Sequence, residues 1–187
     1  MPEFILNLDR HLFYFINHDL TNPFFDVVMP YLRNPKFWIP LYIFIIGYCL
    51  WRYRKTGAII IIMLATTAGF ADFTSASIIK YNVKRLRPCR DPIVSTTDIA
   101  RIPCGTGYSF PSTHATDHFA MAIFMCMLFG KKWRWIWFWA IFWAGLISFA
   151  QVYVGVHFPV DVICGAIYGS LVGIMFAYLF KKIQPAF

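Results

Sequence analysis

The chain has 187 residues and a formal net charge of +8, and 59% of its residues are hydrophobic, 20% aromatic and 14% charged. This composition is too apolar for a soluble domain of this length and predicts one polytopic membrane domain over residues 1–187. The basic residues form short clusters between long apolar runs, which argues against nucleic acid as a partner and favours anionic lipid. A cleavable signal peptide is not expected, because Glu3, Asp9 and Arg10 stand where its basic and apolar regions would be.

Residues 4–34 mix aromatic and aliphatic residues with charged ones and are interrupted by Pro23 and Pro30. This pattern predicts short amphipathic helices in the membrane interface, with a spanning segment as the alternative. Later apolar runs approach the roughly 20 residues that a spanning helix needs. They cover about residues 37–54, 57–79, 112–129, 135–153 and 159–180. We therefore predict an all-α, polytopic membrane helical bundle of about five transmembrane helices, with its core over residues 36–182.

Three short basic segments share one side of such a bundle: residues 51–55, residues 131–134, and the tail with Lys181 and Lys182. The positive-inside rule assigns that side to the cytoplasm, so the loop of residues 80–111 is expected to face outward. That loop has cations of its own, which need a separate explanation such as a bound phosphate. They are Lys80, Lys84, Arg85, Arg87, Arg90 and Arg101.

Two cysteines, Cys89 and Cys104, lie within this loop, whereas the other three fall within predicted spans. In an oxidising compartment Cys89 and Cys104 can form a disulfide that ties the loop together, and two free thiols are the alternative. No Cys-x-x-Cys spacing indicates zinc.

Three polar segments fall at the same end of the predicted bundle, and they are the main functional signal in the sequence. They are KYNVKRLRP at 80–88, FPSTHATDH at 110–118 and AQVYVGVHFPVD at 150–161. Alternate ends of antiparallel helices meet, so residues far apart in the sequence can share one site.

In the first segment, Lys80 and Arg87 are seven residues apart, and both point to one side if the helix continues to Pro88. An ammonium group and a guanidinium fork suit phosphate oxygens. The alternative is that these cations contact lipid head groups, which is the role expected for Lys84 and Arg85.

In the second segment, Pro111 is a natural first-turn residue, and Ser112, Thr113 and His114 follow it at the start of a span. Free backbone amides and the positive helix end form an anion cradle there, to which a hydroxyl group adds a donor. His114 can protonate a leaving oxygen near neutral pH. A capped helix with an interfacial histidine is the alternative.

In the third segment, His157 and Asp161 are four residues apart and share one helical face. Asp161 can then accept a proton from one ring nitrogen and leave the other nitrogen free to attack a substrate. A carboxylate at a membrane boundary needs a partner, so a purely structural pair is the alternative.

Together these residues resemble the signature of the type 2 phosphatidic acid phosphatase (PAP2) family. The resemblance extends over about residues 36–182. The matches to the three motifs of the family are, in order, Lys80 with Arg87 and Pro88; Pro111, Ser112 and His114; and His157 with Asp161.

The resemblance implies an integral-membrane phosphatase that forms a phosphohistidine intermediate and needs no metal or other cofactor. By this resemblance His157 attacks phosphorus, His114 protonates the leaving group and Asp161 orients His157. A further set of residues is expected to bind the phosphate: Lys80, Arg87, Ser112, Thr113 and Gln151.

The third motif departs from the family, because Ala150 and Gln151 stand where the family has Ser-Arg. Gln151 can donate hydrogen bonds to a phosphate oxygen but has no positive charge. Arg90 or Arg101 is expected to supply the missing charge. Otherwise the site binds or transports a phospholipid without catalysis.

A metal-dependent membrane hydrolase is a further alternative. Asp117 and His118 share a helical face with His114, and carboxylates with imidazoles are metal ligands. Such enzymes are richer in histidine than this chain, so no metal is expected.

The substrate expected from the resemblance is a lipid phosphate or diphosphate at the periplasmic face of a bacterial inner membrane. Undecaprenyl diphosphate is the first choice, because it is released on that side during envelope synthesis. Phosphatidylglycerophosphate, phosphatidate and lipid A are the alternatives. No obligate protein partner is indicated.

Overall fold

The computed structural model describes residues 2–185 and 187, and this part of the chain contains helices and no strand. The prediction of an all-α bundle is therefore confirmed. The α-helices are α1 (Glu3–Tyr14), α2 (Pro23–Leu32), α3 (Ile39–Phe73), α4 (Lys80–Val83), α5 (Thr113–Phe129), α6 (Trp135–Tyr153) and α7 (Pro159–Ile183). The π-helical segments Phe15–Asp19 and Thr74–Ile79 continue α1 and α3.

Three stretches are long and apolar enough to cross a membrane: Pro35–Arg90, Trp135–Tyr153 and Pro159–Ile183. The first is broken at Arg54, whose backbone leaves the helical region with φ 52° and ψ −119°. Gly57 packs against the carbonyl of Cys49, so the second leg of α3 folds back along the first. The break divides α3 into two legs. Together with α5, α6 and α7, these legs make the five long helical segments of the described structure, at boundaries close to the predicted ones.

α5 packs along α7 with the two helices parallel, and glycines on α7 make this close approach possible. Gly165, Gly169 and Gly173 face Ser112, Thr116 and Ala120 in the same chain order. A Cβ atom at Gly169 would lie 2.1 Å from the carbonyl oxygen of Thr116, well inside van der Waals contact. Because the helices are parallel, the second and third polar segments begin at the same end of the bundle.

The two N-terminal helices pack against this same end, as part of the domain. Phe13 of α1 is buried with Val152 and Phe158, and Met29 of α2 is buried with Ala150. These apolar contacts fix residues 3–32 beside the α6–α7 connection, where the third polar segment lies.

We expect Gly169→Ala to destabilise the protein by about 1–3 kcal/mol, because the added methyl group forces α5 and α7 apart. Gly145→Ala is the matched control, since a Cβ atom there meets nothing within 4 Å. Thermal unfolding in detergent should show a lowered midpoint for Gly169→Ala and an unchanged or raised one for the control. Equal midpoints for the two variants would contradict the glycine-dependent packing.

Candidate active site

A cavity of about 580 Å³ opens where α5 and α7 begin, and it brings the three polar segments together. Four of its polar lining residues lie outside the predicted phosphate site: Tyr42, Asp72, Asp117 and His118. Its other polar side chains are those of Arg33, Lys80, Arg87, Thr113, His114, Gln151 and His157. All but one of these residues come from the predicted site, and Arg33 is the addition. The same cavity continues into an apolar part lined by Ile61, Leu64 and Met121.

The first segment reaches the cavity by a different backbone path from the predicted one. α4 ends at Val83, and Lys84 adopts a left-handed conformation with φ 53°, so the expectation of a helix that continues to Pro88 was wrong. The extended chain beyond it brings Arg87 back to the cavity, where its guanidinium donates to the carbonyl of Val156 at 3.2 Å. Lys80 lines the same cavity, and its ammonium group has no hydrogen bond to any described residue.

In the second segment, Ser112 has a structural contact instead of the expected phosphate-facing position. Its side chain is fully buried, and its hydroxyl oxygen accepts a hydrogen bond from the Ala115 amide at 3.5 Å as the N-cap of α5. Ser112 does not line the cavity, whereas Thr113 and His114 do. The Thr113 hydroxyl is buried without a partner in the described structure, so it can donate to a ligand.

In the third segment, His157 and Asp161 are connected through a serine. The Nδ1 atom of His157 lies 3.7 Å from Oδ2 of Asp161, which is too far for the direct hydrogen bond that the sequence predicted. The hydroxyl of Ser109 donates to Oδ2 of Asp161 and lies 3.2 Å from Nδ1 of His157. Because the hydroxyl oxygen can accept a hydrogen bond from the Nδ1–H group, the Nε2 lone pair of His157 is left free.

Two further groups donate hydrogen bonds to Asp161. One of them is the side chain of Arg85, for which the sequence predicts contact with lipid head groups. The Phe158 amide donates to Oδ2 at 2.9 Å, and Arg85 donates to Oδ1 at 2.7 Å. Arg85 also pairs with the buried carboxylate of Asp9 and lies 4.3 Å above the ring of Phe158. Arg85 is therefore an internal counter-ion and not a cation for lipid head groups.

Neither Asp9 nor Ser109 could be found from the sequence motifs. Asp9 lies in α1, 152 residues before Asp161, and was read as part of an interfacial helix. Its other oxygen accepts from the Val160 amide at 2.8 Å, which ties α1 to the start of α7. The only available signal was general: a buried carboxylate such as Asp161 requires an internal cation.

Burial determines the charge of the nucleophile candidate. His157 is only 2% exposed. Burial lowers its pKa to about 4, with the nearby Asp161 opposing this shift, so the imidazole is neutral at neutral pH. Burial also raises the pKa of Asp9, against the effect of its ion pair with Arg85. A neutral imidazole beside the cations Lys80 and Arg87 can attack an anionic phosphate group.

The two arginines predicted to replace the missing charge lie elsewhere. Arg101 pairs with Asp26 and donates to the carbonyl of Tyr153 at 2.8 Å, and Arg90 donates to the carbonyl of Gly105 at 3.0 Å. Neither of the two lines the cavity. Both are committed to holding the loop in place, so the expectation that either faces the phosphate was wrong.

The loop that contains them is also cross-linked. The structure has a disulfide between Cys89 and Cys104, whose Cα atoms are 6.1 Å apart. This bond joins the two sides of the segment that presents Arg87 and Ser109, and so restricts the conformations of the unfolded chain.

The histidines and carboxylates that the sequence offers as metal ligands do not form a metal site in the described structure. Among residues 2–185 and 187, no group of three His, Cys, Asp or Glu residues is placed to hold a metal ion. The Nδ1 atom of His118 lies 2.7 Å from the carbonyl oxygen of His114, and its Nε2 atom faces the hydroxyl of Tyr42 at 3.4 Å.

Fold and cavity together define a membrane-embedded hydrolase that acts on phosphorylated lipids. The model of the PAP2 superfamily matches residues 56–185, which is more than half of the chain, and the chain belongs to this superfamily. Its relatives include a lipid A 4'-phosphatase of Bacteroides thetaiotaomicron, 33% identical over 98% of this chain and 81% of the relative. An undecaprenyl-diphosphatase of Sulfolobus acidocaldarius is 33% identical over 74% of this chain and 61% of the relative.

Solved structures give the same assignment of fold. A PAP2-type phosphatidylglycerolphosphate phosphatase from Bacillus subtilis superposes with a TM-score of 0.73 over 98% of this chain and 89% of its own, at 20% identity. LpxE of Aquifex aeolicus superposes with a TM-score of 0.69 over 90% of this chain and 94% of its own, at 28% identity. The predicted family and the helical membrane fold are thereby confirmed.

We expect Ser109→Ala to lower kcat by about 10- to 100-fold, because it removes the hydroxyl that connects His157 to a charged carboxylate. Ser170→Ala is the control, since the Ser170 hydroxyl donates to the Ala166 carbonyl of its own helix. Steady-state kinetics in detergent should show the loss in kcat with little change in KM. Wild-type kcat in Ser109→Ala would mean that the hydroxyl has no part in orienting His157.

Proposed function

We propose that the chain hydrolyses the phosphate monoester of a lipid A type glycolipid through a phosphohistidine on His157. The observation that carries the reaction is the buried imidazole of His157, which lines one cavity together with Lys80 and Arg87. The observation that favours lipid A among the substrates is the similarity to the Bacteroides lipid A 4'-phosphatase, which extends over 98% of this chain.

In the first step, Nε2 of His157 attacks phosphorus, an N–P bond forms, and the P–O bond to the lipid breaks. The negative charge of the bound phosphate favours a protonated His114, which lines the same cavity and gives its proton to the departing oxygen. The imidazole becomes cationic as the bond forms, and Asp161 stabilises that charge through the Ser109 hydroxyl. Lys80 and Arg87 neutralise the phosphoryl oxygens.

In the second step, water attacks the phosphohistidine and the N–P bond breaks. His114, now neutral, takes the proton from the water, so that phosphate leaves and both histidines return to their initial states. The residues of the chain supply all the charge that these two steps require, and no metal takes part in them.

Undecaprenyl diphosphate is the second candidate, and the similarity to the Sulfolobus undecaprenyl-diphosphatase favours it. The two substrates differ in their leaving groups. A monoester expels an alkoxide, which needs a proton, whereas a diphosphate expels a phosphate monoester, which is stable as an anion at neutral pH. A general acid at His114 is therefore more valuable for the monoester.

The test is phosphate release by the purified protein from lipid A, undecaprenyl diphosphate and phosphatidate, each with and without EDTA. We expect lipid A to give the highest kcat/KM, EDTA to have no effect, and His157→Ala to abolish release. His114→Ala should cost at least tenfold more with lipid A than with undecaprenyl diphosphate. His18→Ala, at an exposed position outside the cavity, is the control.

Each result can contradict a separate part of the proposal. Release that persists in His157→Ala would exclude the phosphohistidine. Loss of activity in EDTA would favour the metal-dependent alternative. A higher kcat/KM with undecaprenyl diphosphate would make that lipid the substrate.

We further propose that the protein lies in the inner membrane with its cavity at the periplasmic face. The basic turns and tail meet at the opposite end of the bundle, where Lys131, Lys132 and Lys181 line one depression with Tyr53. This clustering supports a cytoplasmic assignment for that end by the positive-inside rule.

Cysteine labelling tests the orientation. Lys84 and Lys132 are exposed at opposite ends of the bundle. In intact cells with a permeable outer membrane, a membrane-impermeant maleimide should label Lys84→Cys and not Lys132→Cys. The wild-type chain, which has neither substitution, gives the background labelling. The reverse pattern would invert the proposed orientation.

A further inference from the structure

The side chain at the position where the family motif has arginine is paired with an arginine from another part of the chain. Gln151 is fully buried on α6 and lines the cavity. Its Oε1 atom accepts a hydrogen bond from Nε of Arg33 at 3.3 Å. Its Nε2 atom has no partner in the described structure, although an amide N–H group normally finds one when it is buried.

Arg33 belongs to none of the three motifs. It follows α2 directly, is half-buried, and lines the same cavity as Lys80 and Arg87. Within residues 2–185 and 187, the bond to Gln151 is the only hydrogen bond of its side chain, and no carboxylate pairs with it. Burial lowers its pKa, and the positive charge of Arg87 lowers it further. Asp72 and Asp117 also line this cavity, but neither Arg33 nor Arg87 forms an ion pair with any described carboxylate. Two arginines without ion-pair partners in one cavity favour an anion there.

The position of Arg33 is fixed by α2, which docks against α6 through one face. Asp26, Met29 and Arg33 are spaced three and four residues apart and so lie on that face. Asp26 accepts a hydrogen bond from the Tyr153 hydroxyl at 2.8 Å and pairs with Arg101, and Met29 is buried with residues of the α6 end. The contact of Arg33 with Gln151 continues this interface to the cavity.

Resting on the function proposed above, we infer that Arg33 binds the phosphoryl group and supplies the charge that the third motif lacks. Gln151 has two roles in this arrangement. Its Oε1 atom holds the guanidinium of Arg33 in the cavity, and its Nε2 atom donates a hydrogen bond to a phosphoryl oxygen. Arg33, which follows α2, thus provides the positive charge, and Gln151 on α6 provides a hydrogen-bond donor. Together they replace the single arginine of the family motif.

Moving the charge between the two positions tests this inference. We expect Arg33→Gln to lower kcat/KM by roughly 10- to 100-fold, because a charged hydrogen bond to phosphate is lost. Gln151→Arg alone should not raise activity, since a second guanidinium would be buried against the first. The double variant Arg33→Gln/Gln151→Arg returns one charge to the site and should recover at least tenfold over Arg33→Gln. Lys84→Gln, at an exposed cation outside the cavity, controls for the loss of a charge.

Two results would overturn the inference. One is a kcat/KM of Arg33→Gln within twofold of wild type. The other is a double variant that is no more active than Arg33→Gln while its unfolding midpoint equals that of the wild type. If the double variant is unstable, Arg33→Lys decides: it keeps the charge and should exceed Arg33→Gln, whereas equal activity would exclude a role for the charge.

Phosphate binding separates this inference from the proposed reaction. We expect inorganic phosphate to raise the unfolding midpoint of the wild type and of Lys84→Gln. Arg33→Gln should need at least a tenfold higher phosphate concentration for the same rise in midpoint. Wild-type protein that releases no phosphate from any lipid would contradict the proposed function alone. Unchanged phosphate potency in Arg33→Gln would contradict the inference about Arg33, whatever the activity.

Discussion

The buried carboxylate of Asp161 is the group on which the arrangement of the site depends. It receives hydrogen bonds from Arg85, Ser109 and the Phe158 amide, so its charge is compensated although no solvent reaches it. Removing any one donor would leave part of a buried charge unpaired, which is far more costly than the loss of a surface ion pair. The same contacts fix the position of the imidazole of His157.

This network also connects the N-terminal helices to the residues around the cavity. Asp9 shares Arg85 with Asp161, so α1 helps to hold the guanidinium of Arg85 in place, while α2 places Arg33 beside Gln151. The bundle of α3 to α7 carries the motif residues, and the two short helices supply charges around them. In the arrangement we propose, a residue outside the motif provides the charge that the motif lacks.

Much of the fold and part of the site could be predicted from the sequence. Apolar runs of spanning length gave the helices, and the spacing of the motifs placed Lys80, His114 and His157 at one end. The path from Lys80 to Arg87 could not be predicted, because the left-handed turn at Lys84 has no glycine to signal it. Contacts such as that of Arg33 with Gln151 depend on how separate helices dock. No local sequence pattern indicates this docking.

The central claim is that His157 forms a covalent bond to phosphorus, and the stereochemical course at phosphorus tests it most directly. The measurement uses a lipid substrate with a chiral, isotopically labelled thiophosphate, hydrolysed in isotopically labelled water. Each in-line displacement inverts the configuration, so attack by His157 followed by attack by water predicts net retention. Net inversion would mean that water attacks the substrate directly, and it would contradict the account.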